Sequence, residues 1–263
     1  MMKTTDINRF EDFFANVKYH LLKNHLYNYL LRKKAVENAL KNESLDRVLE
    51  VGSGISPMIT RGSRVVYTDL SLTAIQDLRG ADGKGWYVVA DCTHMPFKRN
   101  TFSHTICSEV LEHIEDDTLA ICEMSRVLKP SGQMVVTFPH GKLYFAVDDR
   151  LVNHYRRYDL AEIKKKLNAC EFTPTLTQKV LGPLEKITMI LATACYFLTL
   201  EIGNALPRSD TMQTSRVKKL VSLFVTIFKW ANRAYAKLVW LDAKMMPQCF
   251  STVLLMKCSR SNI

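Results

Sequence analysis

The stretch Arg47-Val48-Leu49-Glu50-Val51-Gly52-Ser53-Gly54-Ile55-Ser56 decides the fold. Its first five residues read as a short buried strand that ends in an acidic and an apolar residue. Two glycines follow at once. Small residues there let a ligand approach the backbone, and the turn needs angles that a side chain resists. A dinucleotide fingerprint would need a third glycine at position 57, which is Pro57, and no Lys-Ser/Thr follows to complete a P-loop. The loop is therefore a ligand turn of another kind.

Outward from this strand, apolar runs recur at 64–68, 86–90, 105–108 and 133–138, each bounded by polar turns. Helical patterns separate them at 71–79 and 118–128, the latter stopped by a turn at Lys129-Pro130-Ser131-Gly132. Strands alternating with helices imply a doubly wound α/β fold with a mostly parallel sheet. A helix at 159–170 with Asp159 as N-cap, a sixth strand at 171–179 and a last strand at 250–257 complete the core. Helical periodicity at 12–41 predicts an N-terminal helical segment, taken as residues 1–44.

Asp69 closes the second strand and Asp91 the third. A carboxylate in the first of these places can accept both hydroxyls of a ribose, and one in the second can accept from an adenine amino group. Three acids at successive strand ends, with Glu50, suit a cationic adenosine-containing ligand better than a phosphate. Each acid alone could equally cap the helix that follows it.

Four ordered motifs then carry a resemblance: Glu50 to Gly54; Asp91-Cys92-Thr93-His94-Met95-Pro96-Phe97; Phe102-Ser103-His104-Thr105-Ile106-Cys107-Ser108-Glu109-Val110-Leu111-Glu112-His113-Ile114; and Glu123-Met124-Ser125-Arg126-Val127-Leu128-Lys129-Pro130-Ser131-Gly132. From Arg47 to Pro139 the chain resembles class I S-adenosylmethionine-dependent methyltransferases of the type-11 group. The resemblance implies a Rossmann-like doubly wound sheet with an antiparallel last strand beside the fifth, and S-adenosyl-L-methionine as cofactor. It implies that Glu50, Gly52, Ser53 and Gly54 hold the methionine end, Asp69 and Leu70 the ribose, Asp91 and Cys92 the adenine, and Ser108 and Glu109 the methyl side. Two departures stand out: Ser56 replaces a frequent glycine, and Ser103-His104 replaces Phe-Asp.

Methyl transfer from a sulfonium is a direct displacement, so alignment dominates and a base matters only for a protonated nucleophile. The polar loop after the fifth strand, 139–158, is where acceptor-handling residues are expected. His154 is the candidate base or hydrogen-bond partner, with Arg156 or Arg157 pairing an acidic substrate group and Tyr158 completing the catalytic set. The competing reading has His154 capping a turn and the arginines binding acids of the same loop. His113 reads as structural, and no metal constellation is visible.

The formal net charge of +10 is unevenly spread: from Leu176 onward, twelve Lys/Arg stand against four Asp/Glu. A block at 181–246 is helical, apolar and basic, and is expected as an insertion capping the substrate side of a core formed by 45–180 and 247–260. Its uncharged run 187–200 is too short for a secure membrane span. Cations among aromatics in 217–240 suit a helix lying on an anionic membrane surface, or a basic lid. The expected substrate is small or lipid-linked and acidic. Nucleic acid is disfavoured, because the charge is interleaved with apolar runs and no base-methylation motif follows strand four; an RNA methyltransferase and a silent cofactor-binding regulator remain the alternatives. Seven scattered cysteines without a C-x-x-C pair suggest reduced thiols and neither disulfide framework nor zinc site. With no signal-peptide core at Met1-Met2-Lys3-Thr4, the chain is expected in the cytoplasm, or peripheral at the inner membrane face.

Overall fold

The computed structural model describes residues 23–62, 64–82, 84–205 and 215–261. Helix α1 (Tyr27–Ala39) precedes β1 (Arg47–Val51), β2 (Arg64–Asp69), α2 (Leu72–Asp82), β3 (Trp86–Val89) and β4 (Phe102–Ser108). Then come α3 (Asp117–Val127), β5 (Leu128–Pro139), the short α4 (Val147–Leu151), α5 (Leu160–Ala169) and β6 (Phe172–Leu181). Two long helices, α6 (Pro183–Ala205) and α7 (Ser215–Met245), lead to β7 (Val253–Arg260).

The seven strands form one sheet in the order β3-β2-β1-β4-β5-β7-β6, with β7 antiparallel to both its neighbours and every other pair parallel. Chain order reverses between β1 and β4, which leaves a crevice at the carboxyl ends of those strands. Buried side chains cover both faces. Leu49, Val51, Ile121, Met124, Val136 and Tyr158 lie in one cluster, and Val48, Tyr67, Ile106, Val135, Leu255 and Val239 in the other. Strands buried on both faces explain why they read as continuous apolar runs without alternation.

Within the N-terminal periodicity Tyr27–Ala39 forms a helix, and Asp12 to Leu22 lie outside the described residues. Elsewhere some expectations need adjustment. α3 ends at Val127 as expected, and Lys129 to Gly132, counted within β5, bulge out of its pairing with β4, which jumps from Phe102–Leu128 to His104–Gln133 while Ser131 takes φ +57°. Asp159 occupies the N-cap position of α5 without a side-chain capping bond; its carboxylate lies 3.8 Å from Lys142. Finally, Cys122 of α3 and Cys170 at the end of α5 form a disulfide with a Cα–Cα distance of 4.7 Å. The two helices lie on the same side of the sheet, a neighbourhood that spacing in sequence does not reveal.

Among the described residues, no helix is long and apolar enough to cross a membrane. α7 buries Asn232, Ala236, Val239 and Ala243. Its opposite face exposes Ile227, Trp230, Leu238, Leu241 and Met245, the last 73% accessible. The exposed set falls on one stripe at helical spacing, with Arg233, Lys237 and Lys244 along one flank.

Candidate active site

A cleft of about 310 Å³ opens at the crevice between β1 and β4, at the lower end of the size range for small-molecule sites. The glycine loop forms one wall. Gly52 has φ +67°, and a Cβ there would come within 2.3 Å of Val110 Cγ2, so only glycine fits. Gly54 also has positive φ, and its amide donates to Asp69 Oδ2 at 2.8 Å, while Ser71 N donates to Oδ1 at 3.0 Å. Asp69 thus ties the loop to the start of α2. Glu50 does the same from the other side, accepting from Met58 N at 2.7 Å and Ile59 N at 3.2 Å. Burial pushes its carboxyl up to about 7 against the pull of those two amides. Asp91 Oδ1 accepts from Thr93 N and Oγ1 at 2.8 and 2.7 Å. Each acid therefore has a backbone duty beside any ligand duty.

The fold brings Glu50, Gly52, Ser53, Gly54, Asp69, Leu70, Asp91, Cys92, Ser108 and Glu109 to this one cleft. Burial raises the Cys92 thiol to about 12, so it is no nucleophile. Glu109 sits at φ +55°, rare for a residue with a side chain; it accepts from Thr137 Oγ1 at 3.1 Å and pairs with Arg32 at 3.0 Å. Arg32 and Lys23 were missed in the sequence. They reach the cleft from the N-terminal side because α1 is held over the loop, with Tyr29 Oη donating to Pro57 O at 2.9 Å. Burial, then Arg32, lowers the Lys23 ammonium to about 8, although Asp69 and Glu50 pull the other way.

The opposite wall comes from the loop after β5 and from α6. His154 Nδ1 lies 2.9 Å from Asp149 Oδ1. Arg157 is buried and donates from Nε to both oxygens of Asp149, at 2.9 and 3.0 Å, and from Nη1 to Thr252 O. Lys186 of α6 closes the network on Asp148 at 2.8 Å and Asp149 at 2.7 Å. Burial opposes ionisation of Asp149, yet the bonds from His154, Arg157 and Lys186 hold its carboxyl well below the usual range. Glu185 and Met189 extend this wall, and burial raises the Glu185 carboxyl even though Thr252 Oγ1 donates to it at 2.9 Å.

His154 and Arg157 therefore reach the cleft, but Arg157 is committed to an acid of its own loop. Tyr158 does not reach it. Its ring is fully buried against Phe138 and its hydroxyl donates to Asp117 Oδ2 at 2.7 Å, so it belongs to the core and leaves the catalytic set. Arg156 lies outside the cleft lining and pairs with Asp117 at 3.1 Å. The Ser103-His104 departure at β4 is a packing change. Ser103 Oγ donates to Arg47 O at 3.0 Å, and His104 is buried beside it, burial lowering its imidazole below the usual value against the pull of Glu43.

A feature unforeseen in the sequence lies between the two walls. The turn Leu111–His113 and the backbone bond from Tyr155 N to Glu112 O, 2.8 Å, bring Glu112, His113 and His154 together. Their ligand-capable atoms all lie within 4.8 Å of one another.

Residues 49–136 match the methyltransferase-domain family, and the sheet is that of class I enzymes. The chain is 33% identical over 91 residues to an uncharacterized protein of Methanocaldococcus jannaschii, covering 34% of this chain and 39% of that one. It is 30% identical over 112 residues to a demethylmenaquinone methyltransferase of Streptomyces griseus, covering 40% and 48%. These matches span less than half the length of the curated relatives. In structure it is similar to the N-methyltransferase NodS of Bradyrhizobium japonicum, solved with S-adenosyl-L-homocysteine, at a TM-score of 0.60 and 14% identity over 97% of this chain and 98% of that one. The methyltransferase-domain match at 49–136 thus falls on a sheet with the class I methyltransferase fold.

Proposed function

We propose that the protein is an S-adenosylmethionine-dependent methyltransferase acting on a small or lipid-linked acidic acceptor. The observation that carries this reading is the joining of two walls in one cleft: the glycine loop with its strand-end acids, and the His154 loop with α6. The cofactor, when bound, supplies an electrophilic methyl group on a sulfonium. The residues fit it. Gly52 leaves room for a backbone approach, and Glu50, Ser53 and Gly54, which line the cleft, would serve a methionine ammonium. Lys23 and Arg32 supply positive charge for its carboxylate. Asp69 with Leu70 takes the ribose, Asp91 with Cys92 the adenine, and Ser108 with Glu109 faces the methyl group.

On the acceptor side, Asp149 fixes the His154 ring and leaves Nε2 to meet a nucleophile's proton. Arg157 acts as a positioning residue through Asp149. The Streptomyces relative's name points to a quinone precursor, and an amphiphilic acceptor of that general kind agrees with the apolar stripe on α7. That stripe, flanked by Arg233, Lys237 and Lys244, suits an anionic membrane surface and a peripheral location.

Isothermal titration with S-adenosylmethionine and S-adenosylhomocysteine tests the core of the proposal. Saturable binding to the native chain that Asp69→Ala abolishes is expected; no binding by folded protein overturns it. Flotation with anionic vesicles at low salt tests the surface, and Trp230→Glu/Leu238→Glu should remove the binding.

A further inference from the structure

Glu112 is fully buried, and neither carboxylate oxygen has a hydrogen-bond partner. A buried carboxylate without partners is rare and costly. Its neighbours do not repair this. Arg32 is paired with Glu109 and Arg157 with Asp149. What faces it instead is a pair of imidazoles: His154 Nε2 lies 3.9 Å from Glu112 Oε1, and the rings of His113 and His154 meet edge to face at 4.6 Å.

His154 also has the support that metal-binding histidines have. Its far nitrogen, Nδ1, rests on the Asp149 carboxylate at 2.9 Å, which presents Nε2 towards Glu112. Asp149 is itself held by Arg157 and Lys186. The arrangement is a carboxylate–histidine–site relay with a second histidine and an orphan carboxylate at its end. Both histidines line the cleft.

We infer that Glu112, His113 and His154 form a binding site for one divalent transition-metal ion, open to the cleft, where it meets an oxygen of the methyl acceptor. Two nitrogens and one carboxylate suit zinc, cobalt or ferrous ions and not magnesium or calcium, which take oxygen ligands. Ligand bonds of about 2.0–2.2 Å put donor atoms roughly 3–4 Å apart around one ion, so the present cluster needs only small side-chain adjustments. Three protein ligands leave positions for a substrate.

The consequence for the acceptor rests on the methyltransferase reading. A hydroxyl bound to the ion loses its proton to solvent more readily. The resulting oxygen anion forms a bond to the methyl carbon as the methyl–sulfur bond breaks, and that electron pair stays on sulfur. His154 then acts as a ligand, and the acidic acceptor is defined as an oxygen nucleophile.

The test titrates Co(II) into metal-stripped full-length protein carrying Cys195→Ser and Cys249→Ser, which removes the two exposed thiols. One ion per chain with visible d–d absorption is expected, with Zn(II) displacing it. Glu112→Gln, and independently His113→Ala, should weaken binding at least about 100-fold, and Asp149→Asn about 10–100-fold through the relay. Absence of binding at low-micromolar Co(II), or binding that folded Glu112→Gln and His113→Ala variants leave unchanged, overturns the site. S-adenosylmethionine titrated into the same samples separates the claims: cofactor without metal sinks the metal site alone, and metal without cofactor sinks the methyltransferase reading alone.

Discussion

The two walls of the cleft are held by opposite means. On the glycine-loop wall, Glu50, Asp69 and Asp91 are satisfied mainly by backbone amides within a few residues of their own strands or the next. On the acceptor wall, Asp149 is satisfied by Ala146 N, His154 and Arg157 of its own loop and, with Asp148, by Lys186 of α6, while neither carboxylate oxygen of Glu112 accepts a hydrogen bond. The first wall is tied together by the backbone of its own loops. The second adds a charged contact from α6 to the loop after β5.

That contrast predicts where the largest loss lies. Lys186→Met keeps the stem and removes the charge, leaving two buried carboxylates short of a partner. A loss of about 3–5 kcal/mol of stability is expected, read by denaturant unfolding, with cofactor affinity in the surviving folded fraction little changed. If cofactor affinity falls as steeply as stability, the walls are not separable and the contrast fails. Gly52→Ala probes the other wall. Its backbone angle and the close approach of Val110 imply about 1–3 kcal/mol of strain, concentrated where the methionine end of the cofactor passes. Calorimetry should show cofactor binding lost with a smaller fall in melting temperature than Lys186→Met causes.

A subtler test uses the proton on Glu50. Its folded value of about 7 lies above that of an ordinary carboxyl, because burial disfavours the charge. A raised folded value means that its contribution to stability is fully present below the ordinary carboxyl range and is lost as pH rises through 7. The cofactor-free protein should thus lose stability over that window. An ammonium arriving beside Glu50 favours the carboxylate, so cofactor binding at pH 7 should release about half a proton, measurable by calorimetry in buffers of different ionisation enthalpy. Release that persists in Glu50→Gln would place the titration elsewhere.

The same contrast explains what the sequence could disclose. Gly52, Gly54, Asp69 and Asp91 announce themselves because strand-end loops are made from consecutive residues, and a missing glycine at Pro57 is as informative as the two present. The sheet is equally readable, since strands covered on both faces are unbroken apolar runs. The relay from Asp149 through His154 to Glu112 is not, because β4, the loop after β5 and α6 meet only in three dimensions. Lys23 and Arg32 were hidden for the same reason, and so was the Cys122–Cys170 bond, which joins helices that the sheet order places side by side.

Tyr158 is the case where adjacency in sequence misled, and it supplies the smallest effect. It follows Arg157 directly, yet neighbouring residues in an extended segment point to opposite sides, and the ring enters the core while Arg157 faces the cleft. Its hydroxyl gives one hydrogen bond to a carboxylate that Lys166 and Arg156 also serve, at 2.6 and 3.1 Å. Tyr158→Phe keeps the ring and leaves Asp117 with both cations. The expected cost is about 1–2 kcal/mol of stability, with turnover and cofactor affinity within about twofold of the native chain once folded protein is normalised. A fall in turnover of a hundredfold or more, with the ring still buried and cofactor affinity unchanged, would return the tyrosine to the chemistry and show that the acceptor wall extends through the β5 edge.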